Sequence, residues 1–158
     1  MIRPSSAASP CHGLVTKGRQ SSASVASSIL VERTRRRILS FFNASPDEYE
    51  VVFTANASGA LKLLGESYPF AAGDTYLLTW DNHNSVNGIR EFARRRGAEY
   101  RYVPLRRPDL RLDEERLAAE LARAGGAHRL FAFPAQSNFS GVQHPLEWIE
   151  RAQNARWQ

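Results

Sequence analysis

Apolar residues recur at helical spacing from residue 29 onward. Ile29, Leu30, Ile38, Phe41 and Phe42, interleaved with Arg33 and Arg37, predict a helix ending near Asn43, with Ser45, Pro46 and Asp47 as the turn that follows. The β-branched and aromatic run 49–54 then predicts a strand, and residues 57–66, with Ala60, Leu61, Leu63 and Leu64, a second helix. Ala72, Gly73 and Asp74 turn the chain into a second strand at 75–79. After a polar loop at 80–84, Val86, Ile89, Phe92 and Ala93 share one face of a helix over 85–96, capped by Gly97. A third strand at 99–103 and a loop at 104–111 lead to a helix over 113–124 with Asp113 as N-cap. A fourth strand is expected at 128–133 and a last helix at 146–155, opened by Pro145.

Strands alternating with helices of this length need crossover connections. The expected fold class is therefore α/β: three layers, with a mostly parallel sheet flanked by helices on both faces. No internal repeat is visible.

Composition agrees with a globular chain. Of 158 residues, 42% are hydrophobic and 23% charged, and the longest apolar runs fall far short of the roughly 20 residues that span a bilayer. The first 28 residues differ, with eight serines and no acidic residue. Residues 1–26 read as a flexible Ser-rich leader, or alternatively as an organellar transit peptide. A single cysteine, Cys11, excludes an internal disulfide and points to the cytoplasm, the organelle being the alternative if the leader is a transit peptide.

Basic residues exceed acidic ones by 21 to 16, for a net charge of +5. Arginine runs at 35–37 and 94–96 lie in helical patterns, where arginine is an ordinary solvent-face residue, so no nucleic-acid partner is expected. Only Lys17 and Lys62 are lysines. This restricts covalent chemistry, because lysine forms Schiff bases and arginine does not.

In parallel α/β sheets ligands bind beyond the carboxyl ends of the strands, which singles out three loops. In the first, Thr54, Ala55, Asn56, Ala57, Ser58 and Gly59 run from a strand into a helix start, where free N–H groups and the helix dipole favour an anion; the plain alternative is an N-cap. The second contains Asp81, Asn82, His83, Asn84 and Ser85. There His83 offers a flat ring to a planar ligand or a titratable group, or is an exposed turn residue. In the third, 133–141, Asn138 can donate an amide N–H to a ligand oxygen, or is a turn asparagine ahead of Gly141.

Taken in order, residues 51–62, 81–86 and 133–141 resemble successive blocks of the class V aminotransferase family, and within it the cysteine desulfurases and the molybdenum cofactor sulfurase amino-terminal domain. The likeness runs from about residue 24 to the end. It implies a pyridoxal 5'-phosphate (PLP) enzyme fold, with residues 27–158 as the amino-terminal part of a large domain. By that resemblance Ala57 and Ser58 hold the cofactor phosphate, His83 stacks on the pyridine ring and Asn138 donates to the ring's phenolic oxygen. It also implies a homodimer and a small amino-acid substrate, with no metal.

The same family needs a Schiff-base lysine and an aspartate at the pyridine nitrogen, both in segments following the one that corresponds to residues 148–158. Neither Lys17 nor Lys62 matches that lysine, Cys11 does not match the family's persulfide-carrying cysteine, and the family's opening segment is not recognisable in residues 1–20. The expectation is a fragment holding half a cofactor site, inactive alone. Its broken sheet is expected to expose an apolar face or edge, giving marginal stability or self-association. The alternatives are a non-catalytic module for a phosphorylated ligand and a truncated reading frame with no role of its own.

Overall fold

A computed structural model describes residues 22–158, so Cys11, Lys17 and most of the expected leader lie outside the described residues. The described residues fall into two compact units, divided between Phe53 and Thr54.

In the first unit α1 (Ser22–Phe41) begins earlier than its apolar pattern suggests, inside the stretch read as leader. Its polar residues fit because Ser28 and Thr34 return their hydroxyls to the carbonyls of Ser24 and Leu30 at 3.0 and 2.8 Å, and Glu32 accepts from Arg36 at 3.2 Å. Asn43 ends it with φ of 49°, a left-handed conformation that asparagine tolerates better than most side chains. Residues 49–54, expected as a strand, form none. β propensity selects an extended backbone, whereas a strand also needs a partner edge, and no ladder reaches this segment among the described residues.

The second unit is built on a three-stranded parallel sheet. β1 (Thr75–Thr79) is central, paired on one side with β2 (Glu99–Val103) and on the other with β3 (Arg129–Ala132), where four strands were expected. Every residue of β1 is buried. Its side chains alternate between two layers, as a strand covered on both faces requires. Tyr76 and Leu78 join Tyr68 and Phe70, just after α2 (Ala57–Ser67), and Ile89 and Ala93 of α4 (Ile89–Arg95), which follows the short α3 (Asn84–Asn87); Leu61 and Leu64 of α2 pack against this layer. Leu77 points the other way, to Leu117, Leu121, Trp148 and Trp157, around α5 (Glu114–Leu121) and α6 (Glu147–Asn154). The expected three layers are present.

Local chemistry explains the boundaries. Asn56 caps α2 by accepting from the Gly59 N–H at 2.8 Å, and Asp113 caps α5 through the Arg116 N–H at 2.9 Å. The helix expected over 85–96 is divided at Gly88 into α3 and α4. Glycine is a weak helix former, and the Val86 carbonyl that should serve the ladder accepts the buried Tyr76 hydroxyl at 2.9 Å. Gly97 follows α4 with φ of 77° and permits the turn into β2. Buried Glu120 of α5 is met by Arg116 at 2.8 Å, Arg101 at 3.4 Å and Arg123 at 3.8 Å, so its carboxylate is not left unpaired.

Candidate functional site

The order β2, β1, β3 means that the chain leaves β1 toward one edge and later returns to the opposite side of the same strand. Loops after β1 and β3 diverge there and leave a crevice at the carboxyl ends. A cavity of about 460 Å³ occupies it, within the range of small-molecule sites. His83 lines it from the β1 loop and Asn138 from the β3 loop, with apolar walls from Leu61 and Leu64 of α2, Ile89 of α4 and Phe133. Two of the residues singled out in the sequence thus share one cavity although 55 positions separate them in the chain (138 minus 83).

Ser58 joins them through a relay. Its hydroxyl lies 2.6 Å from that of Ser85, which is 3.1 Å from Nδ1 of His83. The Ser85 N–H also donates to that nitrogen at 3.2 Å, so His83 is both N-cap of α3 and a member of the crevice wall. The capping role of His83 does not take its ring out of the cavity wall. With Nδ1 committed as acceptor, the neutral ring carries its proton on Nε2.

At the start of α2, the Gly59 and Ala60 N–H groups are taken by Asn56, through Oδ1 at 2.8 Å and the carbonyl at 3.1 Å. The N–H groups of Ala57 and Ser58 have no partner among the described residues, and the first turn carries no acidic side chain. Two free amides and a hydroxyl at a helix start are donors that an anion there would meet. Neither Ala57 nor Ser58 itself lines the cavity.

Asn138 sits exposed in a tight loop built on Ser137, whose hydroxyl accepts from the N–H groups of Phe139 and Ser140 at 3.3 Å each. The Gly141 N–H closes the turn on the Ser137 carbonyl at 2.9 Å, and Gln136 bridges Gln143 across its base. Asn138 is therefore also what its bland reading said, a turn asparagine, but one held at the cavity mouth.

Two features were not singled out in the sequence. Asn82 is buried, and its amide donates to the Thr79 carbonyl and hydroxyl at 3.1 and 2.9 Å and to the Ala132 carbonyl at 2.9 Å, tying the ends of β1 and β3 together. The second is a contact between Asp81 and His144, 2.7 Å apart and both buried. The only sequence signal for either was a polar residue at the end of an apolar strand. Among the described residues no group of three or more His, Cys, Asp or Glu is placed to hold a metal ion. None of their helices is long and apolar enough to cross a membrane.

A family model described as aminotransferase class-V matches residues 9–156. The chain belongs to the class V aminotransferase family. Curated relatives within reach of this class V chain are molybdenum cofactor sulfurases. That of Arabidopsis thaliana is 36% identical over 151 residues, covering 83% of the chain and 18% of the relative. The human protein is 38% identical over 132 residues, covering 80% and 15%, and one from Culex quinquefasciatus 40% over 124, covering 78% and 15%. The chain thus spans less than a fifth of the length of these relatives.

Among solved structures, the cysteine desulfurase CsdA of Escherichia coli superposes with a TM-score of 0.65 at 23% identity, covering 89% of this chain and 35% of CsdA. The cystine C–S lyase C-DES, solved with its product cysteine persulfide, gives 0.65 at 24%, covering 85% and 35%. A C-DES mutant with glycine covalently linked to its PLP cofactor gives 0.64. The α/β arrangement of this class V chain is the fold those enzymes share.

Proposed function

We propose that this chain carries the phosphate, ring and phenolic-oxygen contacts of a PLP site in a class V protein that mobilises sulfur from cysteine. The observation that carries the reading is the convergence of His83 and Asn138 on one crevice, with Ser58 linked to His83 through Ser85. The names of the relatives supply the chemistry: molybdenum cofactor sulfurases by sequence and cysteine desulfurases by fold.

The residues present fit the cofactor. Ala57 and Ser58 offer two free amides and a hydroxyl to a phosphate, with the dipole of an 11-residue helix behind them. His83 presents a ring fixed at Nδ1, so it can lie against a planar heterocycle without losing its cap. Asn138 offers amide N–H donors to an oxygen on the rim of that heterocycle. Leu61, Leu64 and Phe133 keep water from its apolar edge. When bound, PLP supplies an electron sink for chemistry at the substrate's α-carbon.

By itself the 158-residue chain binds without turnover in this reading. Lys62 lies on the outer side of α2, 68% exposed and paired with Glu66 at 3.5 Å, not in the crevice. The single cysteine of the sequence is consistent with action in the cytoplasm, as a homodimer in the manner the family suggests.

Titrating the purified chain with PLP, followed by quenching of tryptophan fluorescence, tests the reading. The Ser58→Ala, His83→Ala double variant is expected to bind at least about tenfold more weakly, since each lost charge-assisted or stacking contact is worth about 1 kcal/mol or more. Borohydride treatment should leave no cofactor on a single lysine, and cysteine should release no sulfide. Equal binding by the double variant would overturn the site, and cysteine-dependent sulfide release would overturn the inactivity.

A further inference from the structure

The crevice is only as well defined as the spacing of its two walls. The β1 loop carries His83 and the β3 loop carries Asn138, and both are exposed. Asp81 lies two residues before His83, and His144 six residues after Asn138, at the exit of the tight loop. We propose that Asp81 and His144 form a buried latch that sets the separation of these loops, making His144 a positioning residue for the cofactor site. The inference rests on the reading of the crevice as a PLP site.

Four observations support it. The two side chains are almost wholly buried, 0% and 2% exposed, with Asp81 Oδ2 and His144 Nε2 2.7 Å apart. An ionised carboxylate has no proton to give, so Nε2–H donates. The ring is fixed from a second direction by Trp148 of α6, with centroids 5.0 Å apart and planes 28° from parallel. Backbone contacts carry the position onward, because the His144 N–H donates to the Ala135 carbonyl at 2.9 Å, just upstream of Asn138. Finally, Asp81 Oδ1 is buried with no hydrogen-bond partner, so among the described residues His144 is the one side chain that hydrogen-bonds this carboxylate.

Charged groups near the imidazole are few. Its other side faces a second cavity of about 290 Å³ bordered by Arg106, Arg111 and Glu114. Arg111 is engaged by Asp109 at 3.9 Å and Glu114 by Arg151 at 3.6 Å, which leaves Asp81 as the carboxylate in direct contact with the ring. A buried carboxylate with a single donor at one oxygen is directional, and it fixes both the distance and the rotation of the loops that carry it.

Two substitutions separate a latch from general packing. His144→Phe keeps the ring against Trp148 and removes the donor, whereas His144→Gln keeps an N–H donor and removes the ring. The full chain is used, with PLP as ligand and with backbone and side-chain amide NMR shifts of residues 83 and 138 recorded without ligand. His144→Phe is expected to move those shifts and weaken PLP binding about tenfold, and His144→Gln to restore both to within about threefold of the wild type. If His144→Phe alone does not fold, the Asp81→Asn, His144→Phe pair removes the unpaired charge and carries the same expectation. Unmoved shifts in the Phe variant, or a Gln variant as impaired as the Phe variant, would overturn the latch. Failure of the wild type to bind PLP while the shifts follow this pattern would sink the cofactor reading and leave the latch standing.

Discussion

At the scale of single residues, the candidate site shows which side chains declare themselves in a sequence. His83 and Asn138 were visible because chemically versatile residues stand at strand ends, where a parallel sheet gathers its ligands, whereas Ser58 stands at a helix start that no strand precedes. Asp81 and Asn82 stand in the same loop as His83 yet were indistinguishable from turn residues. Their partners, His144 and Ala132, are 63 and 50 positions away, and nothing local encodes a pairing over that span. Tyr68 is a further residue whose behaviour only packing sets. Burial, and then the nearby Asp74 carboxylate, push its phenol up from 10.0 to about 12. The neutral phenol is thus favoured in the folded chain, so its stabilisation is fully present below pH 10 and is lost as pH rises through about 12. That is worth about 2 to 3 kcal/mol. Tyrosinate absorbance and circular dichroism followed together should show unfolding in that window, and Tyr68→Phe should shift the transition to higher pH. A transition unmoved by the substitution would remove Tyr68 from the account.

At the scale of elements, the reading by apolar pattern succeeded where an element packs on the core and failed where pairing or a competing hydrogen bond decided. β1, β2, β3, α2, α5 and α6 stand close to their expected spans. Residues 49–54 have strand composition but no ladder, and the helix expected over 85–96 breaks where Tyr76, ten positions upstream of Val86, takes a carbonyl out of it. Helix packing adds a constraint of the same kind. α2 passes so near α4 that a Cβ on Gly65 would meet the Phe92 ring at 2.6 Å. Alanine there gains about 1 kcal/mol of helix propensity but must displace an aromatic ring in a packed layer, at about 1 to 3 kcal/mol. The clash is expected to win: Gly65→Ala should lower stability in urea unfolding by about 1 kcal/mol, and Phe92→Leu in the same chain should recover it. Since α2 carries the free amides of Ala57 and Ser58, the single variant should weaken PLP binding as well.

At the scale of the whole molecule, the question is whether the three-stranded sheet seeks partners through its edges. β2 carries alternating Glu99 and Arg101, which pair with each other; hydrogen bonding to Arg101 holds the Glu99 carboxyl below its ordinary range. Charged side chains along an edge oppose strand addition. On the other side, Gln158 donates its N–H to the Arg129 carbonyl and accepts from the Phe131 N–H, both at 2.8 Å, the pattern of a parallel neighbour to Leu130. The β2 edge is thus charged, and the β3 edge is occupied at Leu130. Exposed apolar side chains remain: in the first unit Phe41 at 82% and Phe42 at 62%, and in the second Trp80 at 64% and Phe139 at 78%. Association through such side chains is driven by apolar area and does not require strand pairing. Sedimentation velocity should accordingly show a weight-average mass that rises with concentration, and a net charge of +5 should make it rise further as salt screens repulsion. Phe41→Ser with Phe42→Ser removes the most exposed adjacent pair. Because neither ring is buried, stability should change by less than about 0.5 kcal/mol per site while the mass falls toward the monomer. A monomer at every concentration, or association that persists unchanged in the double variant, would show that these rings are not what brings the chains together.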